Sequence, residues 1–279
     1  EALQRVEQDF LKSMKKAIIA CEVFYKELTD IIDNDDIDME LLPQGLHDLP
    51  ESENMKEKIQ DQIDDLESEK DYDYIILGYG YCSGGVEGLQ TENACLVIPK
   101  VHDCIPLLLG DMDIEGDIEN RKTYYLSRGW IDCGGDSYKQ YCNLINNDKL
   151  QEMFNKYEKK NQKVRVNWYE KDKYNSDRHY PEETAKYVCG ECIKNYNSIT
   201  LIDNGNLVDI HYDYTEKMCK FLGNLLKEQF NKELEYKKME GNLSLLQDLI
   251  FFNELAEETK ENLLICEPGE KLKLEQCLL

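Results

Sequence analysis

The chain has 279 residues, 41% of them hydrophobic and 10% aromatic. That is enough apolar material for one large core or two fused α/β domains, and it excludes global disorder. Asp and Glu number 57 against 33 Lys and Arg, a net charge of −24; such a field repels phosphate backbones and anionic bilayers, so neither nucleic acid nor a membrane is an expected partner.

In chain order, residues 1–15 read as a polar N-terminal extension, with nothing resembling a secretory leader. No apolar run nears a membrane-spanning length, so a cytoplasmic location is expected. Ala17 to Ala20 predicts a first strand, followed by Phe24, Leu28, Ile31 and Ile32 at helical spacing. Glu40 to Leu42 is a second apolar piece, stopped by Pro43-Gln44-Gly45. Met55, Ile59, Ile63 and Leu66 make the apolar stripe of a strongly charged helix. Tyr74 to Leu77 predicts a buried strand running into glycines, Cys95 to Ile98 another closed by Pro99, and Thr123 to Leu126 a fifth; Ile105 to Leu109 opens a helix.

The Lys-, Asn- and Tyr-rich stretch 147–181 reads as a helix and a loose connection. It is the expected boundary between a first α/β lobe, 16–146, and residues 182–279, a second lobe or a continuation of the same sheet. Beyond it the pattern gives a helix over 182–196, a strand at Ile199 to Ile202, and helices marked by Met218, Leu222, Leu225 and Leu226 and by Leu243, Leu246, Leu249 and Ile250. A late strand follows at Leu263 to Ile265. Strands alternating with helices predict the α/β class: a three-layer, Rossmann-like, mostly parallel sheet, possibly divided into two α/β lobes.

Eleven cysteines, an odd number at irregular spacing, argue against a secreted disulfide framework and for thiols serving as filler, ligands or nucleophiles. Several fall where strands end. Cys21 follows the first strand, Gly78-Tyr79-Gly80-Tyr81-Cys82-Ser83-Gly84-Gly85 the third, His102-Asp103-Cys104 the fourth, and Ser127-Arg128-Gly129-Trp130 the fifth; Gln44, His47 and Asp48 follow the second apolar piece. One parallel sheet would gather all of these at its carboxyl edge, where open α/β sheets bind ligands. Cys21, Cys82, Cys104, His102 and His47 are therefore candidate ligands of a transition metal, zinc or an iron–sulfur cluster, because thiolate and imidazole suit such ions. Asp103 would orient an imidazole.

Gly78, Gly80 and Gly84 form G-x-G-x-x-x-G, one residue longer than the dinucleotide fingerprint, so the turn points to close approach of backbone to something else. Gly78, Tyr79, Gly80, Ser83, Gly84, Asp103 and Arg128 are candidate ligand-binding residues, Arg128 for a carboxylate or phosphate. Cys189 and Cys192 form a C-x-x-C on one helix face, a secondary metal or redox candidate. Cys95, Cys219, Cys266 and Cys277 read as filler, and Cys133 and Cys142 as intermediate.

Several blocks resemble the domain-of-unknown-function family 1638 of bacteria and archaea. They are Gln44-Gly45-Leu46-His47-Asp48 with Pro50-Glu51, Ile76 to Ser83, Leu96-Val97-Ile98-Pro99-Lys100 with His102-Asp103-Cys104-Ile105, and Tyr124-Tyr125-Leu126-Ser127 with Gly129-Trp130. Gly190-Glu191 and Pro268-Gly269 resemble later ones, so the likeness runs from about Lys16 to Leu274. The resemblance implies an anaerobic setting near corrinoid-dependent methyltransferases, and Cys21, Cys82, His102 and Cys104 fall in its blocks. The expected function is then a metal-binding enzyme or accessory factor in one-carbon, corrinoid-linked methyl transfer, with a small-molecule substrate or a corrinoid or methyltransferase partner protein. Two alternatives stand beside it: a non-catalytic protein binding an anionic or corrinoid-like ligand between the glycine turn and Arg128, and a cysteine-nucleophile enzyme with His102 as base.

Overall fold

The computed structural model describes residues 14–32, 37–48, 52–116, 120–158, 180–256 and 259–273. The N-terminal extension up to residue 13, most of the connection read at 147–181, and Cys277 lie outside them. The chain divides into two compact units, Glu1–Met112 with Asn242–Leu279, and Asp113–Gly241.

The first unit is built on a sheet of five described strands. β1 (Lys16–Cys21), β2 (Ile37–Leu42), β3 (Tyr74–Gly78), β4 (Cys95–Pro99) and β8 (Leu263–Cys266) stand in the order β2-β1-β3-β4-β8. The first four are parallel, and β8 runs antiparallel along β4, Val97 opposite Ile265. β1, β3 and β4 are interior strands covered on both faces, which is why they read as continuous apolar runs rather than alternating ones. Ala17 to Ala20, Ile75 to Leu77 and Leu96 to Ile98 are fully buried.

Helix α1 (Tyr25–Ile31) links β1 to β2, and α2 (Ser52–Glu69) links β2 to β3. The α2 stripe of Met55, Ile59, Ile63 and Leu66 is buried, with α2 packed on β1. A short α3 (Ile105–Leu109) follows β4 and ends at Gly110, whose left-handed φ of 65° closes the helix without a Cβ clash. After the excursion through the second unit, α9 (Ser244–Ile250) packs on β3, β4 and α3.

The second unit has a three-stranded parallel sheet, in the order β5 (Thr123–Leu126), β6 (Ser198–Asp203), β7 (Glu235–Glu240). Helices α4 (Arg128–Asp132), α5 (Ser137–Leu144), α6 (Lys149–Glu158), α7 (Glu182–Ile193) and α8 (Asp209–Phe230) accompany it. Leu126, Ile199, Leu201, Phe154, Tyr214, Met218 and Leu222 meet in its core.

Three sequence expectations change. The units divide at 112/113 and 241/242, not within 147–181. β5 opens the second sheet instead of closing the first, while the late strand β8 returns to the first. β7 was not foreseen: its Glu-Tyr-Lys-Lys-Met-Glu sequence is mostly exposed and lacks an apolar period. It is held by pairing along β6, and such charged residues are what a sheet edge tolerates.

Candidate functional site

The order β2-β1-β3-β4 has a consequence for ligand binding. The chain leaves β1 toward β2 on one side, then crosses to β3 on the other side of β1. This order puts a topological switch point at the carboxyl ends of β1 and β3, the place where open α/β sheets take ligands. Cys21 and Glu22 come to it from β1, and Tyr79 to Cys82 from β3.

The turn after β3 is locked by backbone contact. Tyr81 N–H donates to Val101 O and Cys82 N–H to His102 O, both at 2.8 Å. A Cβ on Gly80 would lie 2.6 Å from the Asp103 backbone, and one on Gly78 would lie 2.5 Å from Ala20 Cβ. The close approach expected of the glycines is thus made to β1 and to the loop after β4, within the protein itself. Inside this turn Cys82 has φ 46°; the other described non-glycine residues at positive φ are Asn146 and Asn231. Asparagine tolerates that conformation, whereas for cysteine it costs on the order of 1 kcal/mol or more. Among the described residues Cys82 is the non-asparagine, non-glycine residue at positive φ, and it stands at the centre of Gly80-Tyr81-Cys82-Ser83-Gly84.

This G-x-C-x-G spacing matches the G-x-S-x-G turn that exposes nucleophiles at strand ends. It was legible in the sequence but is overshadowed there by the longer glycine pattern. Helix α-type continuation is absent among the described residues here: a 3-10 turn, Cys82–Gly84, follows instead. The Ser83 side chain lies outside the described residues. Burial pushes the Cys82 thiol up to about 12; the Asp103 carboxylate adds to this, and the Gly80 N–H opposes it. At neutral pH Cys82 is a neutral thiol.

Tyr79 is 2% exposed, and its hydroxyl has no hydrogen-bond partner among the described residues. Burial holds its phenol protonated well above the usual range, and Cys21, Cys82 and Glu22 each add to the effect. These three groups therefore stand near enough to act on the hydroxyl. Glu22, which sequence reasoning missed, is buried and accepts the Gln44 N–H at 3.0 Å. His47 stacks on the Tyr79 ring with centroids 6.3 Å apart. Its Nδ1 lies 2.9 Å from Gln44 O; a carbonyl only accepts, so Nδ1 carries the proton.

The remaining candidates are arranged differently from expectation. His102 is exposed, and the turn uses its carbonyl. Asp103 Oδ1 accepts the Ile105 N–H at 2.7 Å at the start of α3, beside half-buried Cys104. Among the described residues, no three His, Cys, Asp or Glu side chains are grouped to hold a metal ion. Of the expected ligands, Cys21 and Cys82 each act electrostatically on the Tyr79 hydroxyl.

Arg128 does not share this edge, because β5 belongs to the second sheet. It is buried, donating from Nε to Asp132 Oδ2 at 3.3 Å and from a terminal nitrogen to Asn206 O at 2.5 Å. Asp132 Oδ1 lies 3.0 Å from His211 Nε2, while His211 Nδ1 accepts the Val208 N–H. The neutral ring therefore donates to Asp132 from Nε2, and the trio ties α4 to the start of α8. Arg128 thus cross-links Asp132 and Asn206 within the second unit. Cys189 is buried and donates to Ser137 O, burial pushing its thiol up to about 12, while Cys192 is exposed; both are free thiols.

A family model described as "Protein of unknown function (DUF1638)" matches residues 41–250, about three quarters of the chain. The match takes in Gln44, His47, Tyr79, Cys82 and Asp103, and begins after Cys21 and Glu22. No curated protein and no solved structure matches.

Proposed function

The chain belongs to the family described as protein of unknown function (DUF1638), and from that premise we propose that its first unit binds a small molecule in the crevice between β1 and β3, with the Cys82 thiol presented to it. The observation that carries this reading is the left-handed φ of 46° at Cys82. A strained non-glycine residue persists where its surroundings over-determine it, and such residues cluster at functional sites. The strand order supports the same position independently. A neutral thiol in this place reacts when the bound molecule is electrophilic or when binding brings a base, so turnover follows from the ligand's chemistry.

Iodoacetamide labelling with peptide mass spectrometry tests this. In a thermal-shift screen of small carbonyl, carboxylate and thioester compounds, those that stabilise the protein are expected to slow labelling of Cys82 and leave exposed Cys192 unchanged. Stabilising compounds that leave Cys82 labelling untouched would put the ligand elsewhere and refute the proposal.

A second reading keeps a metal. Cys21 and Cys82 both act on the Tyr79 hydroxyl, and a soft ion would displace their protons, its further ligands coming from the bound molecule. Element analysis on protein purified without oxygen tests it: metal present in the wild type and lost in Cys82→Ser supports it, and metal-free protein after reconstitution refutes it. The corrinoid-linked, one-carbon role is a narrower proposal that rests on the family resemblance alone.

A further inference from the structure

We infer that the crevice between β1 and β3 takes an uncharged ligand through a carbonyl oxygen, which accepts a hydrogen bond from the Tyr79 hydroxyl. This rests on the small-molecule reading above and adds the ligand's class and the group that receives it. Tyr79 immediately follows β3, its ring is stacked under His47, and its hydroxyl is buried with no partner among the described residues. Buried hydroxyls are ordinarily satisfied, and leaving one unmet opposes folding. A position that keeps such a group, beside a residue in strained backbone, has the pattern of a site built for something other than stability.

The direction of the bond follows from chemistry. Phenol lone pairs are delocalised into the ring, so a protonated tyrosine is a stronger donor than acceptor, and this one stays protonated. Its complement is an oxygen acceptor. The charge of that acceptor follows from the neighbours. The groups that act on the hydroxyl are Cys21, Cys82 and the Glu22 carboxylate, in a chain of net charge −24. A carboxylate or phosphate would enter against the field of Glu22 and of the chain's net negative charge. An amide, ketone or aldehyde oxygen accepts the bond at no such cost.

The test uses Tyr79→Phe and matched pairs of probes: acetamide, propanamide and benzamide, each against its own carboxylate. Saturation-transfer NMR reads binding, and protection of Cys82 from iodoacetamide reads its place. The wild type is expected to bind at least one amide several-fold more tightly than the matching carboxylate, with Cys82 protected, and Tyr79→Phe to lose that preference. Without ligand, Tyr79→Phe is expected to melt at or above the wild-type temperature, since it removes an unmet polar group. A lower melting temperature would show that the hydroxyl serves the fold, and would overturn the inference. Carboxylates that bind equally well and protect Cys82 overturn it too, but leave the small-molecule crevice standing. Probes that bind without protecting Cys82 overturn both.

Discussion

Replacing Gly80 by Ala tests whether the Cys82 turn is held by backbone contact. The added Cβ would sit 2.6 Å from both Cα and N of Asp103 and 2.8 Å from its carbonyl oxygen. Carbon contacts settle at about 3.5–4.0 Å, so the turn and the loop after β4 must separate by roughly 1 Å. A side-chain tip could swing aside; backbone cannot. Two hydrogen bonds cross that contact, Tyr81 N–H to Val101 O and Cys82 N–H to His102 O, at 2.8 Å each. Each contributes about 1 kcal/mol net, and overpacking adds about 1–3 kcal/mol, so Gly80→Ala is expected to destabilise by about 3–5 kcal/mol. Urea unfolding followed by far-UV circular dichroism measures the loss, and hydrogen exchange at Tyr81 and Cys82 locates it. Gly223→Ala is the contrast. Gly223 lies inside α8, and a Cβ there meets nothing within 4 Å, so it should stabilise by roughly 0.5–1 kcal/mol. A loss below about 0.5 kcal/mol for Gly80→Ala, with exchange at Tyr81 and Cys82 unchanged, would refute the reasoning.

Asp132→Ala removes the carboxylate shared by Arg128 and His211 in a buried setting and should cost about 3–5 kcal/mol. Urea titration of Trp130 fluorescence, from the same helix α4, reads it, and a loss under about 1 kcal/mol would mean that the trio is incidental. With its thiol pushed up to about 12, Cys82 should be ~10⁻⁴ thiolate at pH 8; its alkylation rate should therefore rise with pH through pH 10 without levelling, and a plateau near pH 8 would contradict a half-buried thiol held neutral. Cys142, Cys189 and Cys219 are also pushed up to about 12 by burial. Their folded values exceed the unfolded one near 8.5, so the folded state holds protons that the unfolded state has lost. This stabilisation is complete below about pH 8.5 and declines as pH rises toward 12. The melting temperature should accordingly fall steadily above pH 9, and a flat profile to pH 11 would count against it.

The α/β class, the interior strands β1, β3 and β4, and the stripe of α2 were legible because each is a local pattern of burial. Ile18, Ile76 and Val97 are apolar for the same reason that they are inaccessible to water. Cys21, Tyr79, Cys82 and Asp103 were legible as residues following strands. What local pattern could not carry was partnership. The runs at Thr123 to Leu126 and Leu263 to Ile265 announce strands, yet nothing in four apolar residues says which neighbour will supply the hydrogen bonds. β5 went to the second sheet and took Arg128 with it, and β8 came back across the length of that unit to pair with β4. β7 announced nothing, since an edge strand whose side chains meet water carries no apolar period.

The amino-acid order thus determined which segments must be buried and which chemistry sits at their ends. Tertiary structure alone decided that Cys21, Cys82 and Glu22 all act on one phenol, that Cys82 is held at positive φ, and that Arg128 is bound to Asp132 and Asn206. These depend on the order in which strands lie side by side, which is set by contacts between residues far apart in the chain. Those contacts are shared among many side chains, so no single stretch of sequence records them.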